Sequence, residues 1–298
     1  MSNPDPQMND DASADPAWVA LSLLKHVGSK TLRALLDYFD GDLDAVLKAD
    51  AAALQAVRGV GGKIAAAIQS IDVSATERAM KRWQAAGVRI VTLSDPKYPP
   101  RLRDLEDAPP TLFIRGQRVP PHRMRGIAIV GTRTLSRDGA ITAHRIASQF
   151  ADAGYTLVSG MALGVDTLAH RAAVDRAQAG DSRGEVVTVA VLGSGILNIY
   201  PPENTALARE IMAHGMLMCE VAPDAAVSAA GLVARNRIIT GLCERVIVIE
   251  SEIGGGAMHA ARFALSQGRK VYTPDLPASG NQWLLANGAQ LLSLDNEA

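Results

Sequence analysis

Apolar residues recur at intervals of three and four over the first part of the chain. Trp18, Leu21 and Leu24 fall on one face of a helix, and similar stretches follow as far as Trp83. This spacing is typical of amphipathic helices, because 3.6 residues complete one turn. Residues 17–86 therefore predict a small all-helical domain.

After Gly87 the pattern changes to short apolar runs that predict strands. These runs cover residues 88–93, 111–114, 127–130, 156–158, 186–192, 216–219, 246–249 and 270–272. Stretches of helix length lie between the later runs, at residues 140–153, 167–177, 204–214 and 257–267. Strands that alternate with helices favour right-handed βαβ units and a mostly parallel sheet covered on both faces. We therefore expect an α/β fold with a Rossmann-like domain over residues 87–298.

A glycine-rich turn lies inside the helical region. Residues 57–64 read Val-Arg-Gly-Val-Gly-Gly-Lys-Ile, which resembles the turn of a helix-hairpin-helix (SAM-like) domain, and residues 26–30 form a fainter copy. In such turns, backbone N–H groups and a helix N-terminus meet a phosphate, so Gly61 and Lys63 are weaker candidates for DNA contact. The alternative is a tight turn that only packs and needs glycine for positive φ.

Composition places the chain among globular proteins. Hydrophobic residues make up 48% and charged residues 20% of its 298 residues. Residues 1–16 differ, because they contain four Asp and no Lys or Arg. We expect those sixteen residues to form a disordered acidic tail. No apolar run reaches the ~20 residues of a membrane span, and the N-terminus lacks the features of a secretory signal. These observations predict a cytoplasmic protein with no membrane partner.

Few residues suggest metal or redox chemistry. Cys219 and Cys243 cannot form a four-ligand zinc site or a disulfide scaffold, and their apolar neighbours predict reduced, buried thiols. Asp166 and His170 are spaced i, i+4 and could ligate a metal or form an acid–base pair. Their spacing to other residues identifies no third ligand or nucleophile. We favour a helix cap by Asp166 on a helix that begins at Thr167, with an internal hydrogen bond for His170. No metal, cofactor or catalytic group is predicted.

The charge is unevenly distributed along the chain. The formal net charge is −1, which argues against nonspecific duplex binding over the whole surface. Residues 97–145, however, contain ten Lys plus Arg and four Asp plus Glu, a local charge of +6 around Arg133. This pattern is compatible with a basic site of limited size.

Small and polar residues follow the predicted strands, at the edge where α/β sheets bind ligands. Residues 131–133 read Gly-Thr-Arg, residues 159–164 read Ser-Gly-Met-Ala-Leu-Gly, and residues 193–195 read Gly-Ser-Gly. Glycine lets a backbone approach a ligand closely and offer N–H groups to anions. Three such turns, one of them with an arginine, predict a phosphate site.

Residues 235–237 add Arg-Asn-Arg at the start of a predicted helix. We expect at least one of these arginines to face a ligand phosphate, and the alternative for one is an ion pair with Glu220 or Glu250. Asn198 stands where a dinucleotide fingerprint has its third glycine, and no Gly-Lys-Ser or Gly-Lys-Thr loop is present. The sequence therefore does not favour a dehydrogenase or a P-loop ATPase.

Taken in order, these motifs resemble those of the DNA-processing protein A family (DprA, also called Smf). The matching segments are residues 113–116, 127–133, 159–166, 169–170, 192–201, 235–239 and 287–289. The resemblance covers roughly residues 17–292. It implies an extended Rossmann-like domain that binds and protects single-stranded DNA, forms a homodimer, and loads the RecA recombinase during natural transformation without acting as an enzyme.

The same resemblance assigns the site residues. It places the family's DNA pocket at Gly131, Thr132, Arg133, Ser159, Gly160, Arg235, Asn236 and Arg237. Weaker candidates for DNA contact are Arg137, Gly193, Ser194, Gly195, Leu232, Gly61 and Lys63.

The chain departs from the family pattern in three places. Leu232-Val233 replaces a Phe-Pro pair, which removes an aromatic ring whose stacking on a base is worth ~1–3 kcal/mol. Residues 255–258 read Gly-Gly-Ala-Met where the family has Ser-Gly-Ser/Thr-Leu. The sequence stops at Ala298, without the winged-helix domain of many members. We expect the contribution of that domain to be missing or supplied by another protein.

The alternative from another class is a nucleotide-binding or nucleotide-processing enzyme. Phosphoribohydrolases share a related Rossmann core, and residues 254–256 (Gly-Gly-Gly) could hold a phosphate. Those hydrolases carry a Pro-Gly-Gly-x-Gly-Thr-x-x-Glu string, whereas here no Pro directly precedes the glycines and residues 257–261 contain no Glu. A pure protein-interaction scaffold would leave the arginines unexplained.

Overall fold

The computed structural model describes residues 14–117, 124–181 and 186–293, so most of the predicted acidic tail lies outside the described residues. Among the described residues, six helices precede the sheet: α1 (Pro16–Ser22), α2 (Ser29–Tyr38), α3 (Leu43–Lys48), α4 (Ala51–Ala56), α5 (Gly62–Gln69) and α6 (Val73–Ala85). Four of them start at an aspartate whose carboxylate accepts a backbone N–H of the first turn: Asp15, Asp42, Asp50 and Asp72. The predicted helical region is confirmed.

The rest of the described chain is built on one nine-stranded sheet. Its strands are β1 (Arg89–Thr92), β2 (Thr111–Arg115), β3 (Gly126–Gly131), β4 (Thr156–Ser159), β5 (Thr188–Val191), β6 (Met216–Cys219), β7 (Arg245–Ile249), β8 (Lys270–Thr273) and β9 (Gln290–Leu291). The spatial order is β1-β2-β6-β5-β4-β3-β7-β8-β9. Strand β2 is antiparallel to both of its neighbours, and the other pairs are parallel. The predicted α/β class is confirmed.

Helices cover both faces of the sheet, as parallel strands require. They are α7 (Pro100–Arg103), α8 (Arg137–Asp152), α9 (Val165–Arg176), α10 (Thr205–His214), α11 (Ala229–Ala234), α12 (Asn236–Gly241), α13 (Ala257–Ser266) and α14 (Ser279–Ala286). Ile127 and Ile129 of β3 pack in one cluster with α8 and α9. Ala128 and Val130 point the other way and pack in a cluster with α12 and α13.

The first helices also belong to the core of the sheet. Val19 of α1 and Trp83 of α6 share a buried cluster with Phe113 and Leu217, and the rings of Trp83 and Phe113 lie 5.5 Å apart. The indole N–H of Trp18 donates to the carbonyl of residue 110 (3.1 Å). One core therefore spans the boundary predicted between residues 86 and 87, and that boundary stays a prediction.

Both cysteines are free and buried, as expected. Burial raises the pKa of the Cys219 thiol to about 12, and it raises the pKa of Cys243 as well. Both thiols therefore stay protonated and contribute packing at neutral pH.

Candidate nucleic-acid interface

An open cleft of about 440 Å³ lies at the carboxyl ends of the parallel strands. It sits where the strand order reverses, because the chain runs from β3 towards β6 on one side and continues through β7 and β8 on the other. Open α/β sheets bind ligands at such a switch point. Four segments contribute lining residues: residues 130–133 at the end of β3, Ala162 and Asp166 after β4, Leu232, Val233, Arg235 and Asn236 around the junction of α11 and α12, and Ser251, Glu252, Gly255, Gly256, Ala257 and His259 after β7.

Arg133 brings a positively charged side chain to this cleft. Its side chain is exposed and forms no ion pair or hydrogen bond with any residue that the structure describes. Gly131, two residues earlier, sits against β7: a Cβ there would lie 1.9 Å from the carbonyl oxygen of Ile249. Close packing at Gly131 thus fixes the turn that presents Thr132 and Arg133 to the cleft.

Asp166 holds the neighbouring turn from beneath. Its buried carboxylate accepts the backbone N–H groups of Gly160 (3.2 Å) and Ala162 (3.1 Å). Met161 between them has a φ of 71°. The predicted cap was wrong in detail, because α9 begins at Val165 and the carboxylate binds the preceding turn instead of its own helix. Burial raises the pKa of Asp166, against the opposing effect of Arg235 and the backbone donors.

Arg235 forms part of the cleft wall, but its side chain is only 8% exposed. Its guanidinium donates to the carbonyl of Val191 (3.0 Å), and Nη2 lies 3.8 Å from Asp166 Oδ2. Its Nε is buried without a hydrogen-bond partner among the described residues. Gly160 leaves room for the group, since a Cβ there would lie 2.4 Å from Arg235. Burial also lowers the pKa of Arg235, with the charge of Arg133 adding to that effect.

The other two residues of the Arg-Asn-Arg segment differ in position. Asn236 is buried and lines the cleft. Arg237 does not line it: its guanidinium pairs with Glu220 and donates to the carbonyl of Asp107 (2.7 Å). The alternative of an ion pair with Glu220 is therefore confirmed for Arg237.

The remaining predicted turns are closed in this structure. Ser159 is buried, and its hydroxyl donates to the carbonyl of Ile129 (2.6 Å). Gly193, Ser194 and Gly195 are also buried, beneath residues 222–232. A Cβ on Gly193 would lie 2.7 Å from the backbone of Leu232, so glycine there permits close packing. DNA contact by residues 193–195 would require segment 222–232 to move.

The N-terminus of α8, where a nucleotide-binding Rossmann domain holds phosphate, is occupied by the protein itself. Ser136 caps the helix through Gly139 N–H (3.0 Å), and Glu250 accepts the N–H of Ser136 (2.9 Å). A Cβ on Gly139 would lie 1.8 Å from the Glu250 carboxylate. This negative charge disfavours a phosphate at that position, whereas Arg137 beside it is exposed.

The segment after β7 forms a further wall of the cleft. Ser251, Glu252, Gly255 and His259 line the cleft with the β3 turn, whereas the sequence predicted no DNA contact from any of them. Their position after a strand was the available signal, because all parallel strand ends meet at one edge.

The two helix-hairpin turns also differ. Gly61 and Lys63 are exposed in the second turn, and Gly59 has a φ of 89°. In the first turn, Ser29 donates to the carbonyl of Glu106 and Lys30 pairs with its carboxylate. The first turn therefore packs on the sheet region, and the second is accessible.

His170 is buried and makes the predicted internal hydrogen bond. Its Nδ1 lies 2.7 Å from the hydroxyl of Thr188, which itself donates to the carbonyl of Leu157 (2.7 Å). Nδ1 must therefore donate, which leaves Nε2 unprotonated and, among the described residues, unpartnered. Burial, with Arg235 as a smaller cause, lowers the pKa of His170 to about 3. Within the described ranges, no cluster of three His, Cys, Asp or Glu could hold a metal.

A neutral buried His170 predicts a loss of stability in acid. The unfolded chain takes up a proton near pH 6.5, while the folded chain resists until about pH 3. The free energy of unfolding should therefore fall by about 1–2 kcal/mol between pH 6.5 and pH 5 through this group. Urea unfolding of the wild type and His170→Gln at both pH values measures the effect. Equal pH dependence in the two proteins would contradict it.

Comparison with known sequences gives a consistent result. Residues 89–297 match the family model for DNA recombination-mediator protein A, and residues 17–78 match a helix-hairpin-helix motif. Protein Smf of Synechocystis sp. is 32% identical over 290 residues, which cover 94% of this chain and 70% of that protein. DNA processing protein DprA of Bacillus subtilis is 31% identical over 220 residues, or 72% of this chain and 71% of that protein.

Two solved structures share the fold. DNA processing protein A from Streptococcus pneumoniae superposes with a TM-score of 0.75 at 25% identity, covering 92% of each chain. The protein of the same name from Helicobacter pylori, solved to describe its single-stranded DNA binding mode, has a TM-score of 0.62 at 26% identity. That match covers 70% of this chain and 93% of the other. In the part of this chain that the structure describes, no helix is long and apolar enough to cross a membrane.

Proposed function

Because the chain belongs to the DNA recombination-mediator protein A family, we propose that it binds single-stranded DNA in the cleft at the switch point of its sheet. The observation that carries the proposal is Arg133, which is exposed at the mouth of that cleft and has no ion-pair partner among the residues that the structure describes. A cation without a protein partner is available for a phosphate. Binding of this kind needs no chemistry on the DNA, so we assign no enzymatic step to the protein.

The cleft suits a strand whose bases are unpaired. Val233 of α11 lines the cleft and is exposed, and two further exposed aliphatic residues, Leu163 and Ile253, lie in the chain between residues that line it. These aliphatic side chains offer apolar surface to bases, while Arg133 attracts the backbone. Contacts of this type depend little on base sequence. They favour single strands, because the faces of bases within a duplex are already stacked.

Arg235 supports this site from below. Because its guanidinium is bound to Val191 and lies near Asp166, we propose that it fixes the Gly160 turn and adds positive potential to the cleft floor. Arg237 contributes through structure, since it ties α12 to the end of β6. Gly61 and Lys63 supply a second, weaker backbone contact in the accessible helix-hairpin turn.

Fluorescence anisotropy with labelled oligonucleotides tests the proposal. We expect the wild type to bind single strands more tightly than duplex, with the logarithm of affinity falling linearly with the logarithm of salt concentration, by ~0.7 per phosphate neutralised. Absence of single-strand binding in low salt would refute it. Release of a free base from nucleoside monophosphates would instead indicate the nucleotide-processing alternative.

We further propose that the protein protects single strands and loads RecA on them, acting in the cytoplasm as a homodimer in DNA uptake or recombination. The family described as recombination mediators supports this role. RecA filament formation on single strands coated with a single-strand-binding protein should start sooner when this protein is added. An unchanged delay would contradict RecA loading and leave DNA binding unaffected.

A further inference from the structure

The outer face of α8 carries basic and apolar side chains that lead away from the cleft. Arg137, Ile141, His144 and Arg145 are all exposed on this helix. Their spacing of three and four residues places them on one side, opposite the buried residues that face the sheet. These four residues, the α8 stripe, extend over about 12 Å of helix.

The side chains of the α8 stripe are exposed, and the structure shows no partner for their charges among the described residues. Arg137, His144 and Arg145 form no ion pair or hydrogen bond with any described residue. Ile141 is 58% exposed, the largest exposed fraction among the large hydrophobic side chains of the described ranges. One acidic residue, Asp138, lies at the start of the stripe.

A surface depression of about 720 Å³ adjoins the far end of the stripe. His144, Arg145, Ser148, Gln149, Asp152 and Ala153 line it. Its carboxylate, Asp152, is paired with Arg176 (3.2 Å), so the depression does not present an uncompensated negative charge. The basic side chains therefore dominate this surface.

We propose that the α8 stripe is a second contact segment for the same nucleic-acid strand, which leaves the cleft at Arg133 and continues along α8. The inference rests on the proposed function, because it extends that site. Arg137 is the first residue of α8 and follows Arg133 by four residues, so the chain leads directly from the cleft to the stripe. Arginines separated by an exposed isoleucine complement a chain of phosphates with bases between them.

Oligonucleotide length separates the two segments. Strands of roughly 6 nucleotides fill the cleft alone, and strands of roughly 20 reach both, given site sizes of about 4–16 nucleotides for single-strand binding folds. Arg145→Glu should leave the affinity for short strands within about twofold. The same variant should weaken the binding of long strands about tenfold in low salt. It should also reduce the slope of the logarithm of their affinity against the logarithm of salt concentration by ~0.7 or more. Arg262→Glu, an exposed arginine of α13 on the other face, is the matched control.

A second variant tests the apolar part of the stripe. Ile141→Ser should lower the affinity for long strands about threefold at every salt concentration, because it removes apolar contact area and no charge. Equal effects of Arg145→Glu on short and long strands, or no effect on either, would overturn the inference. A change in oligomeric state of Arg145→Glu by sedimentation would also overturn it, since the face would then join two copies of the chain. Failure of the wild type to bind short strands would instead refute the proposed function.

Discussion

Replacing Asp166 by alanine is expected to lower the free energy of unfolding by about 3–5 kcal/mol. The carboxylate is buried, accepts two backbone N–H groups, and lies 3.8 Å from the Arg235 guanidinium. Its removal would leave a buried charge and two buried donors without their acceptor. Urea denaturation monitored by far-UV circular dichroism measures the change.

Two controls give the Asp166→Ala result its meaning. Asp138→Ala removes an exposed aspartate and should change stability by less than about 0.5 kcal/mol. The double variant Asp166→Leu/Arg235→Met removes both charges together. Its loss of stability should therefore be smaller than the sum of the losses measured for Asp166→Leu and Arg235→Met separately. Additive losses, or a loss below about 1 kcal/mol for Asp166→Ala, would show that the pair does not support the turn.

Arg133→Glu is expected to weaken single-strand binding about 100-fold. The variant loses a charge-assisted contact with phosphate and places a repelling carboxylate at the mouth of the cleft. Stability should be unchanged, because the side chain is exposed and has no partner among the described residues. Titration of a labelled oligonucleotide at several salt concentrations measures both affinity and slope. Loss of less than threefold, or an equal loss in Arg262→Glu, would remove Arg133 from the site.

The central fold was predictable because its strands are buried on both faces. Strands such as β3 and β7 therefore appear as unbroken apolar runs. Strand β9 escaped prediction, since it has two residues, Gln290 and Leu291, both exposed at the edge of the sheet. The packing of Trp83 on Phe113 was equally invisible, because periodicity identifies an apolar face and does not identify what covers it.

The position of the candidate site at the carboxyl ends of the strands was predictable from the sequence. The contacts that its side chains make were less predictable. The sequence predicted that at least one of Arg235 and Arg237 faces a phosphate, without indicating which. Residues two apart on a helix face nearly opposite directions, and the two guanidiniums separate accordingly. Gly131 and Gly193 were interpreted as turns open to anions. The structure gives a packing reason for both, since backbone atoms approach to within 2.7 Å of where a Cβ would lie.

Photo-crosslinking of a short single strand, followed by mass spectrometry of the joined peptides, locates the bound DNA on the protein. We propose that single-stranded DNA lies in the cleft between β3 and β7. We expect crosslinks to residues 131–133, 162–163, 232–233 and 251–259, and their loss in Arg133→Glu. Crosslinks confined to the helical region before residue 87, and unchanged in that variant, would contradict the assignment of the cleft.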